Sequence, residues 1–168
     1  KKGIKYYQSI SIRGGYVYHY TLDMKEKWGE GRTDDHTIEV QPPGTPAVGM
    51  SFLQAFEVTG NRDFLQAAEQ AGDALIIGQN DLGGWEHKIY FDRGKGKTVS
   101  FDDNQTQGAI SFLMALDQEI DRSELTSAIE KALEMMIESQ LDNGGWPHKY
   151  PWQGNYHDFA TFNDQGIN

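Results

Sequence analysis

Acids stand at matching places in two neighbouring segments of this chain. Asp102-Asp103 follows Phe101 and Asn163-Asp164 follows Phe162, while an earlier matching segment has Gln41-Pro42 after Val40. Equivalent places in adjacent repeats lie side by side, so Asp102, Asp103 and Asp164 can meet in one cleft with Asn163 beside them. Carboxylates with a nearby amide make an oxygen-rich set. Such a set suits a hard cation such as Ca²⁺, which takes roughly six to eight oxygens. Taken singly, Asp103 or Asn104 also reads as the N-cap of the helix that follows, where negative charge is favoured. The argument for a site is that the acids recur in two copies and are missing from the first.

A second set of candidates lies in glycine-rich connections. Trp85, Trp146, Tyr150, Trp152 and Tyr156 occur there with His87, Lys88, Arg93, His148 and Lys149. Aromatic rings stack on the apolar faces of sugars and polar neighbours orient them, so these loops suit a carbohydrate. Trp85 and Trp146 recur at one repeat position and read first as plugs between helix pairs. His148, Lys149 and Tyr150 leave the same turn and are the better candidates for touching a ligand. Lys149 or Arg93 can supply positive charge. Gly94-Lys95-Gly96-Lys97 lacks the Ser/Thr and the spacing of a phosphate loop and reads as a solvated hairpin tip. Glu30, in Trp28-Gly29-Glu30-Gly31, lies in a segment that lengthens the first copy and has a cleft within reach.

The elements that carry these residues repeat. Gln79-Asn-Asp-Leu-Gly-Gly-Trp-Glu-His-Lys88 recurs as Gln140-Leu-Asp-Asn-Gly-Gly-Trp-Pro-His-Lys149, with the tryptophans 61 residues apart. A weaker copy begins at Gly14-Gly15-Tyr16. Each unit predicts two helices. The first opens at Pro46 behind a Thr45 N-cap and ends at Thr59-Gly60-Asn61. The second, from about Asp63 to Gln79, buries Phe64, Ala68, Ala71 and Leu75 on one face. In the next unit a helix over roughly 105–120 turns Ile110, Leu113 and Met114 inward. Its partner, from near Ser123, turns Leu125, Ile129, Leu133 and Met136 inward. A helix pair cannot bury its apolar face alone, so such units must stack. The expected fold is all-α: an incomplete α/α toroid of two-helix repeats, truncated at both ends. Repeat one runs over about 14–82, repeat two over 83–143, and the start of repeat three over 144–168.

Composition narrows the chemistry. A net charge of −10 argues against nucleic acid, whose binders carry a basic face. There is no cysteine, hence no disulfide and no thiolate metal site. No apolar run approaches the ~20 residues that span a bilayer. Any export signal is expected upstream of Lys1.

With these residues in view, the sequence resembles a known family. Asn143-Gly144-Gly145-Trp146-Pro147, then Tyr150-Pro151 and Tyr156, then Thr161-Phe162-Asn163-Asp164, resemble the core motif of family 10 pectate lyases (pectic acid lyases). Phe101-Asp102-Asp103-Asn104 with Thr106 is similar to the Asp-Asn segment of that family, and Val40-Gln41-Pro42-Pro43-Gly44-Thr45-Pro46 to another of its stretches. The resemblance covers most of the chain. It implies a secreted or periplasmic, Ca²⁺-dependent enzyme, a monomer when complete, that cleaves de-esterified homogalacturonan by β-elimination. It places Asp102 and Asp164 on the acidic pair of the family's cleft, which makes them the catalytic candidates. Asp102, Asp103 and Asp164 become the Ca²⁺ candidates. Asn163, His148, Lys149, Tyr150 and Arg93 become the substrate-binding candidates. The family's base is an arginine from a later part of the domain, so this stretch alone is expected to be inactive. His148 stands where many members have Gln. Two other readings stay open: a toroid that binds uronic-acid polysaccharide without this reaction, and a triterpene-cyclase-like toroid, whose Asp-x-Asp-Asp motif is not met here.

Overall fold

The computed structural model describes residues 2–160. Five helices carry the fold: α1 (Lys2–Ile10), α2 (Thr45–Thr59), α3 (Arg62–Gly78), α4 (Gln105–Asp117) and α5 (Ser123–Glu138). Between them run short strands: β1 (His19–Tyr20), β2 (Lys27–Gly29), β3 (Gly31–Arg32), β4 (Thr37–Glu39), β5 (Lys88–Tyr90), β6 (Val99–Ser100) and β7 (Lys149–Tyr150). The helix-rich expectation holds, but the chain is not all-α. β1, β2 and β3 form one small antiparallel sheet, while β4 pairs with β5 and β6 with β7. Strands form because each glycine-rich turn runs back along the connection that opens the next helix, and the exposed backbones satisfy each other.

The helices pack on a core of Leu53, Leu65, Ala68, Leu75, Phe112, Leu113, Leu116 and Leu125. In α3, Ala68, Ala71 and Leu75 are buried as the periodicity predicts. Asn61 caps this helix by accepting from the Asp63 amide at 3.1 Å. α2 ends at Gly60 in the left-handed region, φ 64°. Thr45 does not cap α2. Its hydroxyl accepts from the Tyr16 amide at 3.0 Å and so ties the helix to the preceding turn. Met114 and Leu133, expected inside, are 43% and 40% exposed. Each lies at the edge of its helix's apolar stripe, and its neighbours complete the core without it.

The two Gly-Gly-Trp turns are built alike. Trp85 donates from Nε1 to the Leu75 carbonyl at 2.9 Å, and Trp146 to the Met136 carbonyl at 2.8 Å. Gln79 donates to the Gly83 carbonyl, and Gln140 to the Gly144 carbonyl, both at 2.9 Å. The strand pairs correspond too: Val40 donates to the His87 carbonyl and Phe101 to that of His148. The reading of both tryptophans as architecture is therefore upheld. Gly83 has φ 103°, and a Cβ there would lie 2.5 Å from the Lys131 carbonyl oxygen of α5. Only glycine accommodates that conformation and that approach together.

Trp85 is 1% exposed and anchors the turn to the end of α3. Trp85→Ala leaves a large cavity and an unpaired carbonyl. It is expected to lower unfolding free energy by about 3–5 kcal/mol, measured by chemical denaturation. Trp146 is only partly buried, so Trp146→Ala should cost less.

Candidate functional site

The site forms where the β4–β5 and β6–β7 pairs face the start of α4. Asp102, Asp103 and Asn104 make a single 3-10 turn just before α4. Asp103 (φ 49°) and Asn104 (φ 54°) are both left-handed, an uncommon conformation for side-chain-bearing residues. Asn104 occupies the N-cap position of α4, yet its side chain makes no capping hydrogen bond. Capping therefore does not account for this turn. Two successive strained residues cost of order 1–3 kcal/mol each and persist where the surroundings over-determine them.

Neighbouring copies then meet the acids. Gln41, the first-copy counterpart of Asp102, donates from Nε2 to Asp103 Oδ2 at 3.2 Å. Its Oε1 is buried without a partner. His148 Nδ1 lies 3.7 Å from Asp102 Oδ1. The His148 ring meets Tyr156 edge-on at 5.9 Å, and Tyr156 lies 3.9 Å from His157. Tyr18 is half-buried, its hydroxyl is buried with no partner among the described residues, and it is held as the neutral phenol. Burial is the main cause, reinforced by the Glu39, Glu30 and Asp103 carboxylates.

Beside the acids runs a groove of about 440 Å³ lined by Glu30, His87, Lys88, Ser100 and Lys149 among others. His87 Nε2 is 3.8 Å from Glu30 Oε2. Burial pushes the His87 pKa down, opposed by Glu30 and Asp102 and aided by Lys149 and Lys88. Lys88 is committed within the fold: its ammonium lies 3.3 Å from the fully buried Glu39 and donates to the Glu30 carbonyl at 2.7 Å. Burial raises the Glu39 pKa against the pull of Lys88.

The candidates from sequence are thus partly brought together. Asp102, Asp103, His148 and Lys149 converge. Asn163 and Asp164 lie outside the described residues. Tyr150 packs with the Val99, Phe101 and Met135 cluster. Arg93 lies over the Tyr90 ring at 4.4 Å and pairs with Asp34 at 3.7 Å, lining an adjacent cavity of about 270 Å³. Gly94–Lys97 is no hairpin tip, since β5 and β6 on either side of it pair with other strands. Glu86 holds the loop's end, its Oε1 accepting from the amides of Lys97 and Thr98. A carboxylate therefore occupies amides that a phosphate would need. Sequence reasoning missed Tyr18, Glu39, Gln41 and Ser100 as neighbours of the site. The signal available was position: Glu39 and Ser100 are counterparts in successive copies.

Residues 87–168 match the family model described as pectic acid lyase. Among the solved structures that share the fold are two of one enzyme. One is the family 10 polysaccharide lyase from Cellvibrio cellulosa, at TM-score 0.52 and 24% identity over 72% of this chain. The other is a point mutant of that enzyme in complex with trigalacturonic acid, at TM-score 0.51 and the same identity and coverage. The chain spans 37% of the length of each. No curated protein matches it. The family resemblance seen in the motifs is borne out by these matches.

Two outcomes follow from the geometry. Asn104→Gly removes a left-handed side-chain-bearing residue and no cap, so stability in denaturant should rise by about 1 kcal/mol. A fall would show that the side chain holds the turn. His87, disfavoured as the cation in the fold, binds its proton less readily than in the unfolded chain. Its contribution to stability is therefore full above the unfolded value near 6.5 and is lost as pH falls through the lower folded value. NMR titration of the ring should give a midpoint below that of the unfolded chain.

Proposed function

We propose that this chain is part of a Ca²⁺-dependent pectate lyase that cleaves de-esterified homogalacturonan by β-elimination. The observation that carries the reading is that the segment matching pectic acid lyases contains the strained Asp102-Asp103 turn and the His148-Lys149 strand, and that these meet. The substrate is a polymer that does not cross membranes, so the enzyme acts in a secreted or periplasmic setting.

The donor set fits Ca²⁺ in kind. Asp102 and Asp103 offer carboxylate oxygens beside the buried, unpartnered Gln41 Oε1, and hard oxygen ligands suit this ion. Among the described residues there is no group of three or more acidic, His or Cys side chains placed to hold a metal. Asp102 and Asp103 therefore supply part of a shell, and the family resemblance adds Asp164. When bound, the ion supplies positive charge beside a uronate carboxylate.

The base that takes the C5 proton is, by the family resemblance, an arginine outside this stretch, and the residues present here supply charge and orientation. Elimination removes the proton at C5, alpha to the carboxylate. The electrons of the C5–H bond become the C4–C5 double bond, and the C4–O bond breaks with its pair going to the oxygen, which takes a proton from water and leaves as the new chain end. Negative charge grows on the carboxylate, and preorganised cations stabilise it. That Lys149 lines the groove wall supports this role for it. A protein of net charge −10 repels a polyanion overall, so the local cations must act at short range. His148, beside Asp102 and the Tyr156 ring, contributes a polar edge against which a sugar can be oriented.

The test is the complete protein on polygalacturonate, followed by the ultraviolet absorbance of the unsaturated product. Activity should require Ca²⁺ and be abolished by a chelator. Asp102→Ala should lower kcat/KM by on the order of 100-fold. No unsaturated product in the presence of Ca²⁺ sinks the reading, and full activity in chelator removes the ion from it.

A further inference from the structure

The two strand pairs beside the groove are counterparts in successive copies, and they differ by one charge. In the first pair Glu39 on β4 stands opposite Lys88 on β5. Their charged groups are 3.3 Å apart and the glutamate is fully buried. The segment that lengthens the first copy closes over them. The Glu30 amide donates to Glu39 Oε1 at 3.1 Å, and a Cβ on Gly29 would overlap the Glu39 carboxylate.

In the second pair Ser100 on β6 stands opposite Lys149 on β7. Directly opposed residues of antiparallel strands share a face. Val99 packs into the cluster with Phe101 and Met135, so Ser100 and Lys149 take the other face, and both line the groove. The Ser100 hydroxyl is buried, with the residue 1% exposed, and has no hydrogen-bond partner among the described residues. Lys149 has no hydrogen bond and no carboxylate at ion-pair distance among the described residues. Among the described residues the second copy thus has the cation of the pair without its anion.

We propose that Ser100 and Lys149 form a carboxylate subsite, in which a bound uronate takes the place that Glu39 fills in the preceding copy. The inference rests on the uronan-lyase reading for its ligand class. Serine is shorter than glutamate by about a carboxymethyl group, which leaves room for an incoming carboxylate. Its O–H and the Lys149 ammonium are both donors, matched to an acceptor-only group. His87, just before β5 on the same groove and disfavoured as the cation by burial, adds a hydrogen-bonding edge for a sugar hydroxyl. Ser100 thereby sets the preference for a free carboxylate over its methyl ester.

The test is calorimetric binding of trigalacturonate, its methyl ester and an oligomannuronate to the protein and to S100E, S100A and K149M. S100E places a glutamate back opposite Lys149. It and K149M should each weaken trigalacturonate binding about 10-fold or more, and their combination should be no weaker than either alone. S100A should lose less, and the methyl ester should bind the parent weakly and be indifferent to S100E. If S100E does not fold, K149M and the ester carry the test. Trigalacturonate binding that ignores both S100E and K149M overturns the subsite and leaves the galacturonan reading standing. Oligomannuronate bound in its place, and lost on S100E, keeps the subsite and overturns the galacturonan reading. Binding of neither uronic acid overturns both.

Discussion

The hydrogen bond from the Trp85 indole to the Leu75 carbonyl is the contact on which the site depends. A helix ends with unsatisfied carbonyls, and Leu75 lies in the last turn of α3. The indole takes one of them while the ring fills the space beyond it, so the chain leaves the helix in one direction only. That direction delivers His87 and Lys88 into β5. The same contact from Trp146 to Met136 delivers His148 and Lys149 into β7. Two strands launched alike carry their side chains to corresponding places, and a groove lined by both results. Were either turn loose, the basic residues would be four flexible side chains on an acidic protein.

Charge is arranged against the composition. The chain is strongly acidic, yet the groove gathers Lys88, Lys149 and His87 beside Glu30 and Glu86, with Asp102 acting on His87. Where the first copy neutralises its lysine with Glu39, the pair is sealed under the β2–β3 hairpin. A sealed ion pair of this kind gains little net stability over an apolar pair, but it fixes the hairpin over β4. Where the second copy has Ser100, the lysine faces the groove. The left-handed Asp103 and Asn104 lie in the same region: the turn they form brings Asp103 to Gln41 and Asp102 to His148.

The helices, their apolar faces and the repeat could be read from the sequence, because periodicity and glycine placement act locally. Ala68, Ala71 and Leu75 recur at helical spacing and are buried, and Gly60 stops α2. The acids were also visible, because repetition exposes whatever differs between copies, and the His-Lys pair because it recurs in both. The short strand pairs were not. Two or three residues carry no periodicity, and they pair only because stacked turns bring their backbones together. Thr45 failed as a cap for a related reason: its hydroxyl meets Tyr16 of a separate turn, a partner that local spacing cannot reveal.

By itself the sequence determined which residues recur, which faces are apolar and how much carboxylate and ammonium the chain carries, since these follow from side-chain chemistry and spacing. Only the tertiary structure decided which charges meet. Lys88 and Lys149 are the same residue at the same repeat position. One is neutralised by a buried glutamate and the other lies opposite a serine, because the partner comes from a strand far away in the chain. Whether an ammonium is committed to the fold or open to a ligand depends on what lies within a few ångströms of it, and folding alone sets that distance.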